Sequence, residues 1–292
     1  MARSFQVYAP LHDFCWQGHS YVFGSRVLLR RFAQTPDLSG LEAHVSKPEW
    51  DRVVRSDHWL AFEWSGGEEL SPAEVANLVL LSLWLVKPTR AQVALRFEIG
   101  HAEAAGEKKM SRVLDRFAWI PRAIDPDVSD EDIRQAATYY SKLEAICRRR
   151  GRLNNASVLT VTGCWSHGWQ TALICYAAAA ETILTFSKEY GLTRRLATSY
   201  ACIVASESST RDAAFIDFME LYSLRSDVVH GRMHHIARSE ALETLLRFQI
   251  MLRRVWVAVL GSQELLSALE LDDAGRRAYL NGVEAGYKPP QP

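Results

Sequence analysis

The chain has no surplus of either charge. Lys+Arg and Asp+Glu each number 34 in 292 residues, so the whole molecule is under no electrostatic pull toward nucleic acid or an anionic membrane. It also lacks long apolar runs. The two longest, Leu78 to Val86 and Ala172 to Ala180, reach about half the length of a membrane span. Met1 to Phe14 has no apolar run either, which argues against a secretory signal. Cysteine is sparse: Cys15, Cys147, Cys164, Cys175 and Cys202 form an odd set with no C-x-x-C pair. Several sit in helix-like apolar patterns, where a free thiol acts as a small hydrophobe. Gly-rich phosphate loops, the G-x-S-x-G elbow and H-E-x-x-H are all missing. Together these absences set aside a disulfide scaffold, a membrane protein and the common nucleotide-fold enzymes. A cytoplasmic protein without a cofactor is the expectation.

What is present is an ordinary globular composition, 48% hydrophobic and 23% charged, in two halves of different periodicity. The fold class expected is α+β, with a mixed strand and helix domain over residues 1–127 and an all-helical domain over 128–292. In the first half, Gln92 to Gly100 alternates, placing Val93, Leu95, Phe97 and Ile99 on one side of a strand. Tyr21 to Phe32 and His58 to Trp64 are strand-like. Ser71-Pro72-Ala73-Glu74 is an N-cap signature that opens a helix over Val75 to Val86, and Pro88 stops it. Ala105 to Lys109 reads as a polar loop or turn, and Pro121 to Asp130, with two prolines and three aspartates, as the boundary.

Beyond it the pattern is helical. Ser129 and Asp132 open a helix with Ile133, Ala136, Tyr140, Leu143 and Cys147 at a 3.6-residue period. Arg148-Arg149-Arg150-Gly151 closes it. Three arginines invite a nucleic-acid reading, but cations in a last turn before Gly are what the helix dipole favours, and that reading is preferred. Further helices are expected at Trp165–Lys188, Thr193–Ser206, Arg211–Val229 and Ser239–Leu260, with two short ones after them. The alanine run 177–180 permits close approach of another helix.

Metal-binding patterns fall short. His101-Ala102-Glu103 lacks the P-C-x-x-C that completes a zinc deaminase signature. Cys164, His167, His230, His234 and His235 lack the spacing of a four-ligand zinc site. One segment stands apart: Leu221-Tyr222-Ser223-Leu224-Arg225-Ser226-Asp227-Val228-Val229-His230-Gly231. An apolar stripe of Phe215, Phe218, Leu221, Tyr222 and Val229 anchors a helix whose last turns carry Arg, Ser, Asp and His, with Gly231 as the C′ residue. As structure, the basic groups offset the helix dipole. As chemistry, a guanidinium binds phosphate through two parallel bonds and an imidazole exchanges a proton near neutral pH. Ser226 and His230 face alike. Arg225 and His230 are about 140° apart on an ideal helix, so they converge only if the helix unwinds near His230 or a second copy supplies a partner.

The segment, read as Arg225-x4-His230 within L-Y-x-L-R-S-x-x-V-H-G, resembles the HEPN superfamily and within it the Apea-like HEPN group. The surroundings share the order: an Ala-rich helix carrying Glu181, then Arg194-Arg195-Leu196-Ala197 opening the next helix, then the Arg/His helix end. The resemblance spans about Asp130 to Gly261. It implies a four- or five-helix bundle that pairs as a homodimer, with Arg and His of both copies lining one cleft. Many such proteins cleave RNA without metal, as toxins, stress effectors or antiviral defence proteins; others bind nucleotides or proteins. Carried onto this chain, Arg225 holds the scissile phosphate and His230 is the general acid or base. Ser226, Asp227 and Tyr222 are auxiliary, and Glu181, Arg195 and Gly231 lend structural support. The position after the Arg, often Asn, Asp or His in active relatives, is Ser226 here.

From Ala145 to Leu260 there are 14 Lys+Arg, 13 of them Arg, against 9 Asp+Glu, so the neutral total hides a basic stretch suited to RNA such as tRNA. The leading expectation is a metal-independent endoribonuclease leaving 2′,3′-cyclic phosphate ends. The alternative is a non-catalytic HEPN module that binds a nucleotide or a protein, and a third is a structural dimerisation bundle. For residues 1–127 the candidate roles are sensing a trigger or regulatory partner, choosing the RNA, or covering the cleft.

Overall fold

The computed structural model describes residues 3–32, 36–101, 106–112, 127–185, 192–232 and 236–290. The chain is α+β and divides into two compact units, residues 1–148 and 149–292.

The first unit is built on an antiparallel sheet of β1 (Ser4–His12), β3 (Ser20–Phe23), β4 (Val27–Arg31), β5 (His58–Ser65), β6 (Gln92–Val93), β7 (Leu95–His101) and β8 (Lys108–Arg112), ordered β3-β4-β5-β1-β7-β8. The expected strands at Tyr21–Phe32, His58–Trp64 and Gln92–Gly100 are present, the first as a hairpin turning at Gly24 and the last split into β6 and β7. Strand β1 is central and was not expected. Phe5, Val7, Ala9 and Leu11 are buried on one of its faces, and its neighbours Tyr8 and Pro10 blur the alternation. Pro10 is tolerated there because pairing with β7 ends at Tyr8 and pairing with β6 begins at Leu11, so no ladder bond is asked of its missing N–H. Lys108–Lys109, expected in a loop, begin edge strand β8, whose polar residues suit an edge.

Helix α1 (Lys47–Val54) starts where Ser46 donates to Glu49 from both its backbone and its hydroxyl. On one sheet face, Leu38, Leu41, Val53, Trp59, Leu95 and Phe97 form a core with the half-buried Trp50 and Tyr8. Helix α2 (Pro72–Val86) opens with the expected capping box, Ser71 N–H donating to Glu74 at 2.8 Å and Glu74 N–H to the Ser71 hydroxyl at 3.3 Å.

Helix α3 (Asp130–Arg148) starts at its expected cap, Ser129 donating to Asp132 at 2.8–2.9 Å. It packs along α2 and against β3, with Tyr140 edge-on to Phe23 at 5.9 Å and Arg26 ion-paired to Glu144 at 3.4 Å. The compact-unit boundary therefore falls after Arg148, whereas the sequence places it near residue 127 and groups α3 with the helices that follow. Punctuation in sequence set the expected boundary at Pro121 to Asp130, but the apolar stripe of α3 is satisfied by α2 and the sheet. Pro121–Pro126 lie outside the described residues; Asp127–Val128 form strand β9, parallel to β2 (Cys15–Trp16).

The second unit is helical among the described residues: α4 (Arg152–Trp165), α5 (Trp169–Leu184), α6 (Leu192–Val204), α7 (Ser208–Val229), α8 (Arg238–Gly261), α9 (Gln263–Leu269) and α10 (Asp273–Glu284). Helix α4 was not expected, because its Ser, Thr, Asn and Gly are weak helix formers. Ser157, Thr160 and Thr162 each return their hydroxyl to a carbonyl three or four residues back at 2.8 Å, which lets Ser157 and Thr160 sit in the core. Thr160 also accepts the Trp256 indole N–H at 3.0 Å. A Cβ on Gly163 would lie 2.5 Å from the Tyr176 ring, so this glycine sets how closely α4 and α5 approach. The expected helix Trp165–Lys188 is broken at Ser166–Gly168, and Ala177, Ala179 and Ala180 are fully buried in α5. All five cysteines are free thiols, and burial pushes that of Cys164 up to about 12. Among the described residues no helix is long and apolar enough to cross a membrane.

Candidate functional site: the end of helix α7

Two helices of the second unit meet at Glu181 on α5 and Tyr222 and Arg225 on α7. The Tyr222 hydroxyl donates to Glu181 Oε1, and the Arg225 guanidinium pairs with the same oxygen at 3.3 Å. That guanidinium also lies over the Tyr222 ring, 5.6 Å from its centroid, in cation–π contact. Tyr222 is stacked on Phe218 at 5.7 Å, and Phe218 lies 5.2 Å from Tyr200, so the aromatic platform is locked into the bundle core. Burial, then the Glu181 carboxylate, hold the Tyr222 phenol well above its ordinary range, with Arg225 opposing. Tyr222 is thus a neutral donor at any physiological pH.

Arg225 is 32% exposed and Glu181 23%, so the ion pair is open to solvent on one side. A guanidinium has five N–H donors. One edge is spent on Glu181, and the other donors meet no hydrogen-bond or ion-pair partner among the described residues.

Helix α7 ends in a Schellman motif. The Gly231 N–H donates to the Val228 carbonyl at 3.1 Å and the Arg232 N–H to that of Asp227 at 2.8 Å, with Gly231 at φ +67°. This fulfils the C′ position read from sequence. His230 is the capping residue; its N–H still donates to the Ser226 carbonyl at 3.0 Å, and it is exposed. The helix therefore does not unwind before His230. Within one chain, Arg225 and His230 keep the angular separation of about 140° that their spacing dictates.

The other residues singled out in sequence fall as follows. Ser226 is half-buried on the last full turn, and Asp227 pairs with Arg232 at 3.6 Å on exposed surface. Arg195, on α6, donates to Asn281 of α10 at 2.7 Å. Val229, expected to anchor the helix, is 47% exposed: the stripe that holds α7 ends at Tyr222, and the last turn projects beyond the core. His234 and His235 lie outside the described residues, as do Ala102 and Glu103. Among the described residues, no three His, Cys, Asp or Glu side chains converge as a metal site.

The arginine run is engaged in structure. Arg148 pairs with Glu144 at 2.9 Å and with Glu69 at 3.3 Å, Arg149 pairs with Glu270, and Arg150 turns the chain at φ +52°. Arg152 has a part not visible in sequence. It donates to the carbonyls of Thr182 and Glu181 and, at 2.6 Å, to the Thr185 hydroxyl, capping the C-terminus of α5 one turn from the Glu181 side chain.

No protein-family model matches the chain, and no curated protein or solved structure matches it. The HEPN resemblance rests on the residues of the α5, α6 and α7 segments.

Proposed function

We propose that the helical unit is a metal-independent endoribonuclease of HEPN type, acting as a homodimer on RNA such as tRNA, in a toxin, stress or antiviral role. The observation that carries this reading is the state of Arg225. It is positioned by Glu181 and Tyr222, keeps donors for a ligand, and lies near a helix end that presents His230 to solvent. Arg225 holds the scissile phosphate and stabilises charge developing on its oxygens. The 2′-oxygen of the ribose attacks phosphorus, the P–O2′ bond forms and the P–O5′ bond breaks. Neutral His230 takes the 2′-hydroxyl proton, and the protonated His230 of a second copy gives one to the leaving 5′-oxygen. The products are a 2′,3′-cyclic phosphate and a 5′-hydroxyl. The divergence of Arg225 and His230 within one chain is the reason a second copy enters the reading.

One observation favours a second reading, a non-catalytic module that binds a nucleotide or a protein. Arg225 is already matched by an acid, and its helix end brings no general base beside it. An RNase assay on total RNA and tRNA in EDTA, with wild type and His230→Ala, separates the two. Cleavage by wild type alone, with cyclic phosphate ends, supports the nuclease. Equal cleavage by His230→Ala sinks it, and mononucleotide binding without turnover on any RNA favours the module.

A further inference from the structure

The first unit contains a cleft of about 230 Å³ between the end of β1, the end of α1 and β6. Its charges are unevenly paired. Asp13 receives the Gln92 side-chain amide at 2.7 Å and faces Arg90 at 3.9 Å, and Asp57 pairs with Arg31 at 3.7 Å. Arg52 and Arg55, on the last turn of α1 and its cap, line the same cleft, and among the described residues their guanidiniums have no acidic partner. The acids are matched and the two arginines are not, so the cleft is poised for an anion.

A second group points the same way. Ser56 donates its hydroxyl proton to the Arg52 carbonyl at 3.0 Å, so its oxygen accepts from His12 Nδ1–H, also at 3.0 Å. His12 Nε2 is then a bare acceptor, and it is buried without a partner. Burial and the nearby Arg52 charge lower the imidazole to about 4, which keeps that lone pair free at neutral pH. An unmatched buried acceptor costs stability and is met by a ligand hydroxyl. The backbone agrees, since Asp13 beside it is held at φ +52°, a conformation disfavoured outside glycine.

The arginines have an alternative use, offsetting the negative end of the α1 dipole. That end amounts to roughly half a charge, against two full charges on the side chains. Positive charge remains. Leu11 and Phe14 supply an apolar wall, and the volume is below the roughly 300–1,000 Å³ of drug-sized sites, so the ligand is small.

We propose that this cleft binds a small hydroxyl-bearing phosphate ester of the sugar-phosphate class, its phosphate on Arg52 and Arg55 and a hydroxyl on His12 Nε2. The assignment is independent of the RNase reading, because every residue it uses lies in the first unit.

The test is calorimetric titration of the full chain, in EDTA, with ribose 5-phosphate, ribose and inorganic phosphate. Ribose 5-phosphate should bind more tightly than either fragment. The exposed, unpaired Arg52→Ala/Arg55→Ala double variant should fold normally and bind it about tenfold or more weakly. Arg225→Ala should leave this binding unchanged. Absence of binding to wild type, an unchanged affinity in the double variant, or loss of binding in Arg225→Ala overturns the proposal. Phosphate alone binding as tightly as the ester overturns the sugar-phosphate assignment.

Discussion

The two units treat their arginines in opposite ways. In the helical unit Arg225 has an acidic partner and an aromatic face, so its position is fixed before any ligand arrives, at the cost of part of its charge. In the sheet unit Arg52 and Arg55, among the described residues, have no acidic side chain holding them in place. A guanidinium that must stabilise charge in a transition state gains from preorganisation. One that only captures an anion gains more from being unpaired. The contrast fits a reactive role for the first site and a binding role for the second.

The largest effect expected on this comparison is from His230→Ala. Because His230 is exposed and, among the described residues, its side chain has no hydrogen bond or ion pair, the variant should keep wild-type thermal stability while, on the proposed nuclease reading, cleavage falls about 10²- to 10⁴-fold. A loss of stability in step with activity would place His230 in the structure and not in the chemistry. Next in size is the acid response of the sheet unit. His12 is lowered from 6.5 to about 4, and His58 is lowered too, mainly by burial. Between those pH values the unfolded chain binds a proton that folded His12 refuses. Stability from this group is therefore complete above pH 6.5, falls as the pH drops, and levels off below 4. The loss from His12 is about 3 kcal/mol. Urea unfolding of wild type and His12→Asn across this range measures it. The wild type should show the steeper fall, and parallel curves would mean that His12 is not buried neutral.

What the sequence disclosed follows from which signals are local. The Ser71 and Ser129 caps and the Gly231 helix end are each written in a few adjacent residues and are present as read, while the strand read at Gln92–Gly100 is present as β6 and β7. Strand β1 was hidden because Pro10 argues against a central strand. The gap between its partners β6 and β7 that excuses Pro10 is a tertiary fact. Helix α4 was hidden because its hydroxyls look like loop residues until their back-bonds are seen. At the α7 site, Arg225, His230 and Gly231 were legible as a motif. That Glu181 reaches both Tyr222 and Arg225 was not legible, and Glu181 was read only as structural support, since 41 residues separate it from Tyr222. The cleft at His12 was not legible at all, because its residues come from three elements, two of them, β1 and α1, unexpected.

Two glycines in helix interiors give the smaller effects and test whether packing or backbone entropy dominates in the helical unit. Gly163→Ala places a methyl 2.5 Å from Tyr176, whose ring is fully buried. Overpacking costs about 1–3 kcal/mol and exceeds the roughly 1 kcal/mol that alanine gains in helix propensity. The variant should melt at lower temperature.

Gly282, in α10, has nothing within 4 Å of where its Cβ would be, so propensity acts there alone. Gly282→Ala should raise stability by up to about 1 kcal/mol, the smallest change of the set and the only gain. Thermal melts of the two variants beside wild type should therefore bracket it, Gly163→Ala below and Gly282→Ala above. If Gly163→Ala also stabilised, the α4–α5 contact would be loose enough to yield. The Arg152 cap, which spans that contact to hold the end of α5, would then be holding Glu181 against a mobile support, and preorganisation of Arg225 would have to come from the Tyr222 stack alone.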